Sequence, residues 1–137
     1  MNLQQLISWL RSDESFGRNV RLWHTVPAAP ARTVDFPEAL DPRLREALTA
    51  RGIPSLYTHQ ARAIEHAEAG RDVVVVTPTA SGKTLCYNLP VLQRCLGDPE
   101  ARALYLFPTK ALSQDQMNEL HGLIEAMAAD TKTYTFD

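Results

Sequence analysis

Eight consecutive residues, Thr77-Pro78-Thr79-Ala80-Ser81-Gly82-Lys83-Thr84, bring together the groups that a nucleotide phosphate needs. Gly82 lets the backbone approach an anion, and Lys83 carries a cation on a stem long enough to reach β and γ phosphates. Thr84 offers a hydroxyl to a phosphate-bound Mg²⁺. The strict spacing G-x-x-x-x-G-K-[ST] is not met, because Thr77 stands where the first glycine belongs. The plain alternative is an ordinary turn whose lysine points into water. Context favours phosphate: the run Val73 to Val76 comes directly before the loop and an amphipathic stretch directly after it, which is the setting the chemistry requires.

Such a loop depends on the two elements that hold it. Residues 72–77 lack alternation of apolar and polar positions, as a strand covered on both faces should, and the spacing beyond the loop predicts a helix from about 83 to 96. A turn from strand into helix presents free backbone N–H groups and the positive end of the helix dipole, an anion site before any side chain is counted. The pattern then repeats, with an apolar run at 102–107, a helix from about 110 to 128 and TKTYTF at 131–136. Strand and helix alternating through short connections predict an α/β fold with a parallel, doubly wound sheet. Pro90 is expected to kink the first of these helices or end it early.

Ahead of this unit, Leu3, Leu6, Ile7 and Leu10 fall at helical spacing, with Gly17 a break soon after. Residues from about Ser12 to Pro37, with Pro27, Pro30 and Pro37, have no helical period and read as an extended lead-in. Asp41 can cap a helix that starts at Pro42, buries Leu44, Ala47 and Leu48, and ends at Gly52. A further helix is expected from Thr58 to Ala69, closed by Gly70. The expected division is therefore 1–36, a helix and lead-in, and 37–137, an α/β domain.

The chain has 137 residues, 45% of them hydrophobic, enough for one modest domain with a real core. No stretch approaches the roughly 18 to 20 apolar residues that span a bilayer, and the start lacks a basic leader, so a cytoplasmic protein with no membrane partner is expected. A net charge of -2 gives no bulk attraction for nucleic acid, so any such binding must come from a local groove. Cys86 and Cys95 suit neither a metal knuckle nor a redox pair and are expected as buried thiols. His24, His59, His66 and His121 lack ligand spacing. These histidines, with Trp9 and Trp23, are expected on the surface or in packing.

With Pro78, Thr79, Ala80 and Ser81 filling it, the loop resembles motif I of superfamily 2 helicases, in which the first glycine is often replaced. Upstream, GIPSLYTHQARAI at 52–64 is similar to that family's Q motif. The resemblance implies that the Gln60 amide reads the adenine edge by donating and accepting at once, with Tyr57 packed on the base or the loop. Downstream, LYLFPTKALSQDQ at 104–116 is similar to motif Ia, which implies that Pro108, Thr109 and Lys110 hold the backbone of a nucleic-acid strand. Taken together, the resemblance implies an ATP site of Tyr57, Gln60, Thr79, Ala80, Ser81, Gly82, Lys83 and Thr84. Lys83 and Thr84 are its catalytic pair, and Thr84 faces Mg²⁺. Over roughly residues 34–137 the chain resembles the MrfA (YprA) branch of DEAD/DEAH-box helicases, which implies a RecA-like domain and a role in DNA repair, on DNA rather than RNA.

Hydrolysis in that family needs the D-E-x-H or D-E-x-D of motif II on a later strand. The only Asp-Glu pair here is Asp13-Glu14, ahead of the loop. The expectation is therefore an N-terminal piece of a helicase, the first half of its first motor domain, able to bind nucleotide and inactive alone. The alternatives are a nucleotide kinase or transport ATPase of another class, or a nonenzymatic nucleotide-binding module.

Overall fold

A computed structural model describes residues 1–136. The chain falls into two compact units, Met1–Pro30 and the residues from Ala31 onward. In the first, helix α1 (Leu3–Ser12) opens with a capping box. The Asn2 side chain accepts from the Gln5 N–H at 2.9 Å, and the Gln5 side chain accepts from the Asn2 N–H at 3.0 Å. None of its residues is buried, so the apolar stripe is only half covered. A short helix α2 (Glu14–Gly17), capped by Asp13, interrupts the stretch expected to be extended. Trp23 is a packing residue, 6.3 Å from the Phe16 ring and under the Arg11 guanidinium at 5.1 Å.

The second unit begins with β1 (Thr33–Val34), which pairs antiparallel with β2 (Leu56–Tyr57) in the register Thr33 to Tyr57 and Val34 to Leu56. The last residues of the lead-in are thus tied into this unit. Between them lies α3 (Pro42–Ala50). It is helical for the reasons its sequence offers: Asp41 accepts from the Arg43 N–H at 2.8 Å, Pro42 occupies the first turn, and Leu44, Ala47 and Leu48 are buried on one side. Helix α4 (Thr58–Glu68) follows β2 directly. Helices α5 (Lys83–Gly97) and α6 (Lys110–Ala126) complete the unit. Leu44, Leu48, Leu56, Ile64, Leu89 and Leu123 all reach zero exposure at its centre. Among the described residues no helix is long and apolar enough to cross a membrane.

Pro90 neither ends nor shortens α5, which runs on to Gly97. An internal proline costs about 3 kcal/mol. Leu89 and Leu92 beside it are fully buried, and each such burial contributes about 1.5–3 kcal/mol, enough to hold the helix through the break. Cys86 is buried as expected and burial pushes its thiol pKa up, while Cys95 is only partly covered.

The expected parallel sheet is not formed. Among the described residues the one sheet is β1–β2, and segments 72–77, 102–107 and 131–136 join no ladder. No backbone hydrogen bonding of the ladder type joins these segments to one another. Leu104, Leu106, Tyr134 and Phe136 line one groove of about 970 Å³. Strand-like alternation survives nonetheless. Val75, Tyr105 and Phe107 are partly covered, whereas Val74 and Val76 are 88% and 89% exposed. DVVVVT is therefore open on one side and not enclosed on both.

Candidate nucleotide and nucleic-acid site

The loop between Val76 and α5 is built on two left-handed residues, Ala80 at φ 57° and Gly82 at φ 71°. Gly82 is the N-cap of α5 and provides no side chain for the first turn. The open amides of Lys83 and Thr84 are the positive pole of a helix that runs for 15 residues. Thr77 accounts for the missing first glycine. Its hydroxyl bridges the loop to the Ser81 hydroxyl at 2.6 Å, a contact glycine could not make. Lys83 folds back over the same space. Its Nζ donates to the carbonyls of Pro78 at 2.6 Å and Thr77 at 3.0 Å, with both loop hydroxyls at 3.4 Å. The cation is satisfied by loop oxygens, which an arriving phosphate would have to outcompete. Thr79 and Ala80 are exposed at the tip.

The start of α4 closes one side. The Gln60 side-chain oxygen accepts from the Tyr57 N–H at 2.8 Å, and its Nε2 donates to the Gly82 carbonyl at 2.8 Å. Gln60 is only 2% exposed, so this amide pins the loop to α4. Each end keeps one unused place, since the oxygen has a second lone pair and the nitrogen a second N–H. His59 adds a contact that its spacing did not announce: Nε2 donates to the Ser81 carbonyl at 2.9 Å, and its ring stacks on Tyr57 at 5.5 Å. Tyr57 is left 40% exposed, an open aromatic face beside the loop.

Thr84 donates its hydroxyl proton to Gln116 Oε1 at 3.1 Å, and the Tyr87 hydroxyl donates to the same oxygen. Gln116 lies on α6, so this amide joins the loop to the helix that opens with the second candidate group. There Thr109 is the N-cap of α6 and accepts from the Leu112 N–H at 3.2 Å, while its proton can still be donated. Pro108, Thr109 and Lys110 are all exposed. The structure thus draws Tyr57, Gln60, Ser81, Gly82, Lys83 and Thr84 together, and leaves Pro108–Lys110 as a separate group reached through Gln116. Sequence reasoning missed His59 and Gln116. His59 could have been suspected from its place beside Gln60, but nothing local marks Gln116.

Among the described residues no cluster of three or more His, Cys, Asp or Glu could hold a metal. Of the residues expected at Mg²⁺, Thr84 brings one hydroxyl oxygen and no carboxylate stands with it. This suits Mg²⁺ brought in on phosphates, since that ion keeps most of its ligands from phosphate and water.

Comparison with known proteins gives the family of the chain. The DEAD/DEAH box helicase family model matches residues 57–135. The chain is 52% identical over 136 residues to the uncharacterized ATP-dependent helicase YprA of Bacillus subtilis, covering 99% of this chain and 18% of that protein. It is 36% identical to the ATP-dependent helicase hrq1 of Schizosaccharomyces pombe, covering 99% of this chain and 13% of the other. A crystal structure of the DUF1998 helicase MrfA bound to DNA and AMPPNP superposes with a TM-score of 0.85 at 51% identity, covering 99% of this chain and 19% of that one. The chain therefore spans less than a fifth of the length of these relatives.

Proposed function

The chain belongs to the DEAD/DEAH box helicase family, and on that premise we propose that it forms the ATP-binding part of an ATP-dependent helicase acting on DNA. The observation that carries this reading is the uncapped start of α5 behind Gly82, with Lys83 turned into the same small volume. Phosphate oxygens would accept from the Lys83 and Thr84 amides and draw Lys83 Nζ off the Thr77 and Pro78 carbonyls. Bound between phosphates and Thr84, Mg²⁺ would neutralise charge on the phosphate oxygens. Tyr57 would lie against the base. Gln60, using the unused places on its amide, would read the adenine edge once uncovered. We further propose that segments 72–77, 102–107 and 131–136 belong to a parallel, RecA-like sheet in the longer polypeptide. Their alternating exposure supports this.

For the nucleic acid, Pro108, Thr109 and Lys110 would meet the phosphate backbone of one strand at the start of α6. MrfA's capture with DNA supports DNA over RNA. Lys110→Ala should weaken single-stranded DNA binding across sequences and lower the salt dependence by about one counterion.

The decisive experiment is ATP titration of the chain followed by calorimetry. Wild type should bind and Lys83→Ala should bind roughly 10- to 100-fold more weakly, the worth of a charged hydrogen bond. No turnover is expected from this chain, which carries no motif II acid. Equal affinity in both proteins would remove the loop from nucleotide binding.

A further inference from the structure

Building on the nucleotide reading above, we propose that Gln116 is a positioning residue that sets the Thr84 hydroxyl for Mg²⁺. Thr84 and Tyr87 lie three residues apart on α5 and therefore share a face, and both hydroxyls donate to the same Gln116 oxygen. A carbonyl oxygen has two lone pairs, and here both are taken. A hydroxyl has one proton and two lone pairs. With the Thr84 proton committed to Gln116, its lone pairs are left for an electrophile on the side of the loop. An unanchored threonine would instead rotate its proton among competing acceptors, and in some of those rotamers would turn that proton toward the cation.

The second donor fixes the amide itself. Tyr87 is held by an edge contact with Tyr105, ring centres 5.8 Å apart. Gln116 is partly buried, and its Nε2 makes only a long contact to Asp115 at 3.4 Å. Orientation of the amide therefore rests on the two hydroxyls. Residues that hold a metal ligand without touching the metal are worth about 10- to 100-fold in metal affinity or activity. Gln116 meets that description: one bond from the ligand, on a different helix, with its own orientation secured.

The test compares AMPPNP affinity in Mg²⁺ and in EDTA, by calorimetry on the whole chain, for wild type and Gln116→Leu. The expected result is about tenfold weaker binding in Mg²⁺ with unchanged binding in EDTA, and recovery in Gln116→Glu, which keeps an acceptor oxygen at the same reach. Equal weakening in both conditions would show that Gln116 only supports the fold, and no weakening would show that it does nothing for the site. Either overturns the proposal. Should Gln116→Leu fail to melt cooperatively, Gln116→Asn, which withdraws the oxygen by one carbon, must give the same Mg²⁺-specific loss. Wild type that binds AMPPNP equally with and without Mg²⁺ overturns this proposal and leaves the nucleotide site standing. Wild type that binds no AMPPNP brings down the nucleotide reading, and this proposal with it.

Discussion

Gly82 holds two requirements in one position. At φ 71° its backbone lies where an L side chain is strained, and a Cβ there would come within 2.6 Å of Gln60 Nε2. Gly82→Ala should therefore lose about 1–2 kcal/mol to the left-handed conformation alone. The clash must also push Gln60 away from the Gly82 carbonyl, breaking the pin between α4 and the loop. Urea unfolding reads the first effect and nucleotide titration the second; unchanged stability and affinity together would mean that the loop relaxes freely. The need for a glycine at 82 was legible in the sequence, because the phosphate chemistry demands a bare backbone there. That Gln60 presses on that same glycine was not, since the two are 22 residues apart and meet only through packing.

At the level of elements, α3 rests on its cap. Asp41 accepts from the Arg43 N–H and pairs with the Arg43 guanidinium at 2.8 Å. Asp41→Ala should destabilise the chain by about 1 kcal/mol, measured in urea. The Arg43 hydrogen bond is the main cause that holds the Asp41 carboxyl below its ordinary 3.8. A depressed carboxylate stabilises fully above its unfolded value and loses that contribution as pH falls through the lower folded value. The gap between wild type and Asp41→Ala should therefore narrow below about pH 3.8. Helices α3 to α6 were legible because caps, periodic leucines and closing glycines are local signals. Strands were not. A ladder needs a second chain segment at hydrogen-bonding distance, and periodicity at 72–77 reports the apolar residues without reporting their neighbours. For the same reason the four adjacent valines are not enclosed here, with Val74 and Val76 at 88% and 89% exposure. Pro90 shows the converse, a strong local signal outweighed by Leu89 and Leu92 beneath it.

For the whole molecule, the second unit is a set of helices packed on a buried leucine centre, with three strand-like segments around it that lack a sheet. Val74, Val76, Leu104 and Leu106 are exposed on two of these segments. Val73 to Val76 is an uninterrupted β-branched run with unpaired backbone, the composition from which intermolecular cross-β stacking grows. Arg71 and Asp72 before it and Pro78 after it have the character of gatekeepers, charges and a ladder-breaking ring that confine such growth to a few residues. Val74→Lys removes no core contact and places a charge in the middle of the run. It should delay thioflavin-positive aggregation of the chain at high concentration while leaving its melting temperature unchanged. The bare flank of the segment that leads into the phosphate loop is thus where copies of this polypeptide are expected to stack.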